Sequence, residues 1–247
     1  MNLARDLSRA LRPGSVMFEA EMQPDRWQTE ILVSEHPRHL LLCSRQSGKS
    51  TTVACLAVQT ALFDPGLILM IAPAERQSKE LFRKAKDIYL ALEHVPEITQ
   101  ESTRSMELAN GSRIVALPGT EHTLRGFSAP RLICIDEAAR VEDELYHAVA
   151  PMLAVSKGRL VALTTPYGQR GWFFEAWNGG EDYWQRTLIK ASDCPRIEPD
   201  WLEEEKGMIG DWAFRQEYLC EFVDTDEQFF SSALIEAAIS TEIPALW

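Results

Sequence analysis

The sequence contains no run of apolar residues close to the roughly 20 that a membrane-spanning helix requires. Its first residues also lack the apolar core and the small-residue cleavage site of a secretory signal, so we expect a cytosolic protein without membrane contact. Internal repeats and low-complexity tracts are missing as well. With 247 residues, 45% of them hydrophobic and 25% charged, the chain can bury a full core as one large domain with an appendage.

Cysteine and histidine are scarce. The five cysteines form no C-x-x-C pair, and Cys43, Cys55 and Cys134 lie within apolar runs, which is typical of buried thiols in a reducing compartment. The only closely spaced histidines, His36 and His39, have no supporting cysteine. We therefore expect neither disulfides nor a zinc site.

An excess of positive charge is also missing, since the net charge is −12. Proteins bind nucleic acid through lysine and arginine, so this charge argues against an extensive nucleic-acid surface. Most of the acidic excess, however, lies in residues 197–227. Residues 74–93, by contrast, predict an amphipathic helix with a basic polar face. The basic face consists of Arg76, Lys79, Arg83 and Lys86. We interpret it either as a solvated outer surface or as a contact for DNA.

The run Cys-Ser-Arg-Gln-Ser-Gly-Lys-Ser at residues 43–50 follows apolar residues and has the form of a strand that leads into a phosphate-binding loop. In such a loop, backbone N–H groups and the start of the next helix surround a polyphosphate, a lysine reaches the outer phosphates and a serine binds Mg²⁺. We assign these last two functions to Lys49 and Ser50. The usual pattern begins with glycine, where this chain has Cys43.

A second motif, Asp136-Glu137, ends the continuous apolar run of residues 131–135, which predicts a buried strand. In enzymes with a phosphate-binding loop the first acid holds Mg²⁺, and an adjacent glutamate can align and deprotonate the attacking water. The alternative is that both acids only cap the following helix. Because two independent motifs occur in the right order, we favour the catalytic interpretation.

Strands and helices alternate between these motifs, which predicts an α/β fold with a mostly parallel sheet. We predict strands at 39–43, 67–72, 131–135 and 159–164, helices at 49–63, 74–93 and 142–155, and a hairpin at Asn110-Gly111. Asp136 lies 88 residues beyond Gly48, which leaves room for further strands, as in ATPases that insert a strand between the loop strand and the acidic strand. We divide the chain into an N-terminal helix and linker (1–24), a P-loop ATPase core (25–192) and a small helical lid or linker subdomain (193–247). We expect the helices of this last subdomain to break at Gly207 and Gly210.

The sequence resembles the large terminase subunits of tailed bacteriophages, whose N-terminal ATPase drives DNA into a procapsid. The resemblance covers most of the chain. The matching segments are Arg26-Trp27-Gln28, like the family's adenine-side glutamine segment; residues 44–50, like its loop with an internal arginine; Asp136-Glu137-Ala138-Ala139; and Leu163-Thr164-Thr165-Pro166-Tyr167-Gly168, like its coupling motif. A missing first glycine in the loop is common in this family.

The resemblance implies an ATPase motor domain that uses ATP and Mg²⁺ to translocate double-stranded DNA. Its implied partners are DNA, further copies of itself in a ring on a portal protein, and a small terminase subunit, all in the host cytoplasm. Terminases also carry a C-terminal nuclease of RNase H-like fold, whereas this sequence stops soon after residues 217–222. We expect no nuclease activity here: the sequence is either an ATPase fragment or one whose nuclease is encoded separately.

Together, the motifs and the resemblance assign a set of candidate site residues. The nucleotide-binding candidates are Gln28, Ser44, Arg45, Gln46, Ser47, Gly48, Lys49, Ser50, Thr51, Thr164 and Thr165; the metal ligands are Ser50 and Asp136; the catalytic residues are Glu137 and Arg125.

Within this set, Arg45 offers a bidentate phosphate contact, and the amide of Gln28 can pair with an adenine edge. Thr164 or Thr165 could sense the terminal phosphate through a hydroxyl group.

The resemblance suggests Arg125 as an arginine finger for a neighbouring subunit. The competing candidates are Arg104, Arg140 and Arg170. Trp172, Phe173 and Phe174 are expected in the core.

Two other functions remain open. A superfamily-2 helicase or translocase shares the loop and the Asp-Glu pair, but it needs a second motor domain for which this chain has no room. A nucleotide-dependent switch would bind ATP without useful turnover, and the presence of Glu137 beside Asp136 argues against it.

Overall fold

The computed structural model describes residues 7, 9, 11–12, 14–120, 124, 126–179 and 183–223. Its centre is an eight-stranded sheet. The strands are β1 Arg38–Cys43, β2 Leu67–Ala72, β3 Ile98–Glu101, β4 Ser105–Leu108, β5 Arg113–Pro118, β6 Leu132–Asp136, β7 Arg159–Thr164 and β8 Gln185–Ile189. They are ordered β3-β4-β5-β2-β6-β7-β1-β8, and only the pairs β3–β4 and β4–β5 are antiparallel.

The helices cover both faces of this sheet. They are α1 Ser15–Glu19, α2 Arg26–Val33, α3 Lys49–Phe63, α4 Glu75–Ala91, α5 Asp143–Ser156, α6 Gly171–Asn178 and α7 Pro199–Glu217. Residues of α1 to α4 pack on one face with strand residues such as Leu41, whereas residues of α5 and α6 pack on the other with their neighbours such as Leu40. Successive strand residues point to opposite faces, so a parallel strand buried on both sides reads as a continuous apolar run. The predicted α/β fold with a mostly parallel sheet is confirmed.

Strand β7 lies between β1 and β6. In the two parallel ladders Leu42 is opposite Thr164 and Asp136 is opposite Leu163, so the three strands end nearly level. This is the arrangement expected of an ATPase with a strand inserted between the loop strand and the acidic strand. It places the residues after β1, β6 and β7 at one edge of the sheet.

Most of the predicted helices, strands and turns agree closely with those in the structure, and the exceptions are few. Gly111, with φ 86°, lies in the turn of the predicted hairpin between β4 and β5. The expected break at Gly207 is wrong, because α7 continues through that residue and departs from helical geometry only at Gly210, with φ 80° and ψ 161°. A glycine inside a helix costs only about 1 kcal/mol, which the rest of the helix can offset. Strands β3 and β8 and helices α2 and α6 were not predicted.

Of the three aromatic residues predicted in the core, Trp172 and Phe173 are buried, whereas Phe174 is half-buried. Trp172 and Phe173 are 6% and 1% exposed, and all five cysteines are buried free thiols. Within the described ranges, no helix has the length and apolar character needed to cross a membrane.

Helix α4 offers a matched pair of leucines for testing this packing. Leu81 is 2% exposed in the core, whereas Leu90 on the same helix is 60% exposed. Leu81→Ala should lower the free energy of unfolding by about 2–5 kcal/mol, since it removes buried methyl groups and leaves a cavity. Leu90→Ala should change it by less than about 1 kcal/mol. Urea denaturation followed by circular dichroism measures both values, and equal losses would contradict the assigned packing of α4.

Candidate functional site

A cavity of about 300 Å³ opens at the edge of the sheet where β1 and β6 end. It is lined mostly by residues of the loop after β1 and the first turn of α3, joined by one residue from α4 and one from the end of β6. The lining residues are Arg45, Gln46, Gly48, Lys49, Ser50, Thr51, Lys84 and Glu137. The structure therefore brings both sequence motifs to a single cavity, with the amino end of α3 facing it.

The loop after β1 has left-handed backbone at Gln46, with φ 58°, and at Gly48, with φ 91°. Cys43 has no positive φ and is fully buried at the end of β1, so its backbone does not require glycine. Burial also raises the pKa of the Cys43 thiol, which keeps it neutral. The missing first glycine therefore has a structural explanation: the tight turns of this loop lie further along.

Hydrogen bonds from distant elements hold this loop in place. The N–H of Ser44 donates to the carbonyl of Ile189 in β8 at 2.8 Å, and the N–H of Arg45 donates to the carbonyl of Glu217 at the end of α7 at 2.9 Å. Within the loop, the buried hydroxyl of Ser47 donates to the carbonyl of Ser44 at 3.0 Å. The side chains of Ser44 and Ser47 are thus internal supports and do not line the cavity.

Ser50 and Asp136, the predicted metal ligands, are in direct contact. The Ser50 hydroxyl donates to Oδ2 of Asp136 at 2.8 Å. Burial raises the pKa of Asp136 and the adjacent Glu137 raises it further, whereas Lys49 and Ser50 act in the opposite direction. A hydroxyl and one buried carboxylate fit Mg²⁺, which usually takes one or two protein oxygens and completes its shell with water and phosphate. Among the described residues no three His, Cys, Asp or Glu side chains converge to hold a metal ion.

Glu137 has left-handed backbone, with φ 51°, immediately after β6. Its Oε1 lies 3.1 Å from Nζ of Lys49, and its Oε2 lies 3.5 Å from the Thr165 hydroxyl and 3.8 Å from Nε of Arg140. The guanidinium of Arg140 in turn stacks over the ring of Tyr167 at 4.1 Å. Lys49 and Glu137 are therefore paired with each other at the mouth of the loop.

The two threonines after β7 have different surroundings. The hydroxyl of Thr165 contacts Glu137 and so lies beside a residue that lines the cavity. Thr164 is fully buried; its hydroxyl donates to the carbonyl of Thr165 at 2.6 Å and accepts a bond from the N–H of Ala139 at 3.3 Å. Of these two candidates, Thr165 is the one placed beside the carboxylate.

Gln28 lies behind the loop, 2% exposed. Its Oε1 accepts a hydrogen bond from the N–H of Asp25 at 2.8 Å, and its Nε2 donates to the hydroxyl of Thr52 at 2.9 Å. Both ends of the amide thus have protein partners. Pairing of Gln28 with an adenine edge stays a prediction.

The candidate arginines are dispersed. Arg45 is 64% exposed, with its Nε 3.5 Å from Glu217. Arg104 lies 3.6 Å from Glu75, and Arg170 precedes α6. Arg125 lies outside the described residues. Apart from Arg140, none of these contacts Glu137 within the described part of the chain.

Much of the basic face of α4 is paired with acids. Lys79 pairs with Glu75, Arg83 with Glu80, and Lys86 with Glu101. These pairs reduce the positive charge available to a polyanion, which favours the interpretation as a solvated surface for these three residues.

Lys84 is a site residue that the sequence reasoning missed. It is half-buried on α4 and lines both the loop cavity and a second cavity of about 460 Å³ that reaches Asp136 and Glu137. No carboxylate within the described ranges lies within 4 Å of its ammonium group. Its position three residues after Leu81 was the available signal, because that spacing turns Lys84 toward the core side of the helix.

The chain matches the model of a known protein family. The model described as "Terminase large subunit, T4likevirus-type, N-terminal" matches residues 40–237. Among curated proteins, the large terminase subunit of Thermus phage G20c is 28% identical over 265 residues, which cover 90% of this chain and 54% of that protein. The chain thus spans about half the length of the curated relatives it matches.

Solved structures give the same picture. The large terminase ATPase domain of Thermus phage P74-26 is 26% identical with a TM-score of 0.74, covering 86% of this chain and all of that one. The large terminase of bacteriophage HK97 is 18% identical with a TM-score of 0.67, covering 91% of this chain and 58% of that one. At 18% identity, the similarity to the HK97 terminase shows a shared fold alone.

The buried carboxyl group of Asp136 should make stability depend on pH. Its pKa is raised on folding, so the folded chain binds a proton more tightly than the unfolded chain, and stability is lost as pH rises from about 4 through the raised pKa. Asp136→Asn should therefore raise Tm at pH 7, by about 2–4 °C for each kcal/mol gained, and the gain should shrink toward pH 4.

The measurement is a series of thermal melts from pH 4 to 8 in EDTA without nucleotide. Asp87→Asn, an exposed aspartate on α4, is the control and should have no effect of this kind. A lower Tm for Asp136→Asn at pH 7 would show that the Asp136 carboxylate is stabilising and would contradict this expectation.

Proposed function

The chain belongs to the N-terminal family of T4likevirus-type large terminase subunits, and from this premise we propose that it is the ATP-hydrolysing domain of a DNA-packaging motor. The observation that carries the proposal is the contact between Ser50 and Asp136, with Lys49 and Glu137 paired beside it. These four residues supply a metal site, a phosphate-binding cation and a general base at two cavities that share Ser50, Lys84 and Glu137 as lining residues.

ATP is proposed to bind with its phosphates against the loop. The amino end of α3 and the loop N–H groups favour anionic oxygens, and Lys49 reaches the outer phosphates. Ser50 and Asp136 would hold Mg²⁺, which supplies charge neutralisation at the phosphate oxygens when bound. Arg45 is exposed at the mouth of the cavity, where it can reach a phosphate.

The pair between Lys49 and Glu137 suggests how the base becomes available. Without nucleotide, the ammonium group of Lys49 neutralises the carboxylate 3.1 Å away. An incoming phosphate competes with Glu137 for Lys49. When Lys49 binds the phosphate instead, Glu137 keeps Thr165 and Arg140 as neighbours. Glu137 can then accept the proton of the attacking water. In this proposal nucleotide binding itself releases the catalytic carboxylate.

Lys84 is proposed as a second cation for the terminal phosphate. It lines both of the cavities that Glu137 lines, and a base that activates the attacking water must lie near the phosphate that is attacked. Because Lys84 has no carboxylate partner within the described residues, its charge is available to a ligand.

Double-stranded DNA, a ring of identical subunits, a portal protein and a small terminase subunit are the proposed partners, and the host cytoplasm is the proposed location. Family membership supports them. A finger function for Arg125 in a neighbouring subunit is part of the same proposal.

Lys49→Ala and Glu137→Gln should separate binding from chemistry. Lys49→Ala removes a cation that contacts ground-state phosphate, so it should abolish measurable ATP binding. Glu137→Gln should bind ATP as tightly as the wild type or more tightly, because Lys49 is released from its carboxylate partner, while kcat falls by about 10²–10⁴-fold. Calorimetric titration with ATP and a phosphate-release assay measure both parameters. Equal loss of ATP affinity in the two variants would refute this division.

Lys84→Ala should weaken ATP about tenfold while ADP affinity stays within about twofold, since only ATP carries the terminal phosphate and tenfold corresponds to about 1.4 kcal/mol. Lys86→Ala is the matched control, because Lys86 is on the same helix but pairs with Glu101. The titrations use the Glu137→Gln background to prevent turnover. An equal loss of affinity for ATP and ADP would show that Lys84 does not act at the terminal phosphate.

A further inference from the structure

Arg196, in the segment between β8 and α7, contacts the back of the loop after β1. Its Nη1 and Nη2 each donate to one carboxylate oxygen of Asp25 at 2.7 Å, and Nη2 also donates to the carbonyl oxygen of Ser47 at 3.1 Å. The side chain of Asp25 is only 10% exposed. A bidentate pair of this kind fixes the plane of the guanidinium, so the carbonyl of Ser47 meets a donor whose position is already set.

The contact to the Ser47 carbonyl determines where the next N–H points. A trans peptide unit is planar, and its C=O and N–H point in opposite directions. When the oxygen of Ser47 is held toward Arg196, the N–H of Gly48 must therefore point away from Arg196. Gly48 lines the loop cavity and Arg196 does not. The N–H of Gly48 is thus directed to the cavity side.

The peptide unit between Gly48 and Lys49 is also held through its carbonyl oxygen. The carbonyl of Gly48 accepts hydrogen bonds from the N–H and the hydroxyl of Thr52, each at 3.0 Å, and that hydroxyl accepts the bond from Gln28. A Cβ at Gly48 would lie 3.0 Å from Nε2 of Gln28 and 3.5 Å from Nη2 of Arg196. The protein side of Gly48 is therefore filled by these two side chains, and both of its flanking carbonyls are occupied.

We propose that Arg196, oriented by Asp25, is a positioning residue that presets the N–H of Gly48 for a phosphate group of a nucleoside di- or triphosphate. The segment after β8 thereby contributes to nucleotide affinity without touching the nucleotide. This inference rests on the proposed ATP binding. It differs from the proposal for Lys84, because loop N–H groups serve the inner phosphates that ATP and ADP share.

The test is calorimetric titration of Arg196→Ala with ADP, and with ATP in the Glu137→Gln background. Both affinities should fall by about tenfold, since the peptide unit loses its anchor. Arg215→Ala is the matched control: Arg215 also lies in the C-terminal part of the chain and forms an ion pair, with Glu221 at 2.6 Å. Its affinities should equal those of the wild type.

Two further measurements separate positioning from loss of structure. Guanidinium ion, added well below its unfolding concentration, should restore ADP affinity to Arg196→Ala but not to Lys49→Ala, with sodium chloride as the ionic control. Asp25→Asn keeps a residue that caps α2 well but removes the charge that orients Arg196. It should weaken both nucleotides several-fold, and the double variant Asp25→Asn/Arg196→Ala should be no weaker than Arg196→Ala alone.

The outcomes distinguish the two proposals. If the wild type binds neither nucleotide, the proposed function fails. If the wild type binds and Arg196→Ala binds equally well, the positioning role of Arg196 is overturned. Should Arg196→Ala not fold, Asp25→Asn decides, because unchanged affinities in that variant would also overturn the inference.

Discussion

The hydrogen bond between Ser50 and Asp136 is the contact on which the arrangement of the site depends. It joins the first turn of α3 to the end of β6, across 86 positions of sequence. It forms because β7 separates β1 from β6 and the three strands end nearly level. Burial raises the pKa of Asp136, so a cation bound there would stabilise the ionised carboxylate. The proposed metal site and the link between α3 and β6 thus depend on the same pair of side chains.

The charges around this contact are compensated within the protein. Lys49 neutralises Glu137, Arg140 lies near the same carboxylate while stacking on Tyr167, and Arg196 is bound to Asp25. A phosphate group must therefore compete for Lys49, whereas Arg196 remains behind the loop. The division between cations that contact a ligand and those that orient the backbone follows from which side of the loop each one occupies.

Much of the fold could be predicted from local patterns. Strands β2 and β7 and helix α3 have the predicted bounds, because buried parallel strands read as apolar runs and the glycine-lysine pair marks a helix start. Strand β8 was missed because only its last residue, Ile189, is buried and it forms by pairing with β1. Strand β3 was missed for a similar reason, as Ile98 is its only apolar residue. The stability of β8 comes from pairing with β1, which no local window of sequence around β8 contains.

By itself, the sequence determined which residues could perform the chemistry: Lys49 and Ser50 at a helix start, and Asp136 and Glu137 at a strand end. Those assignments need only spacing along the chain, since each motif lies at the end of one element. The tertiary structure alone decided that Thr165 rather than Thr164 reaches Glu137, that the amide of Gln28 is bound inside, that Lys84 joins the cavity, and that Arg196 meets Asp25 across 171 positions. These contacts depend on strand order and on the path of connecting segments, and hydrophobic periodicity carries no information about either.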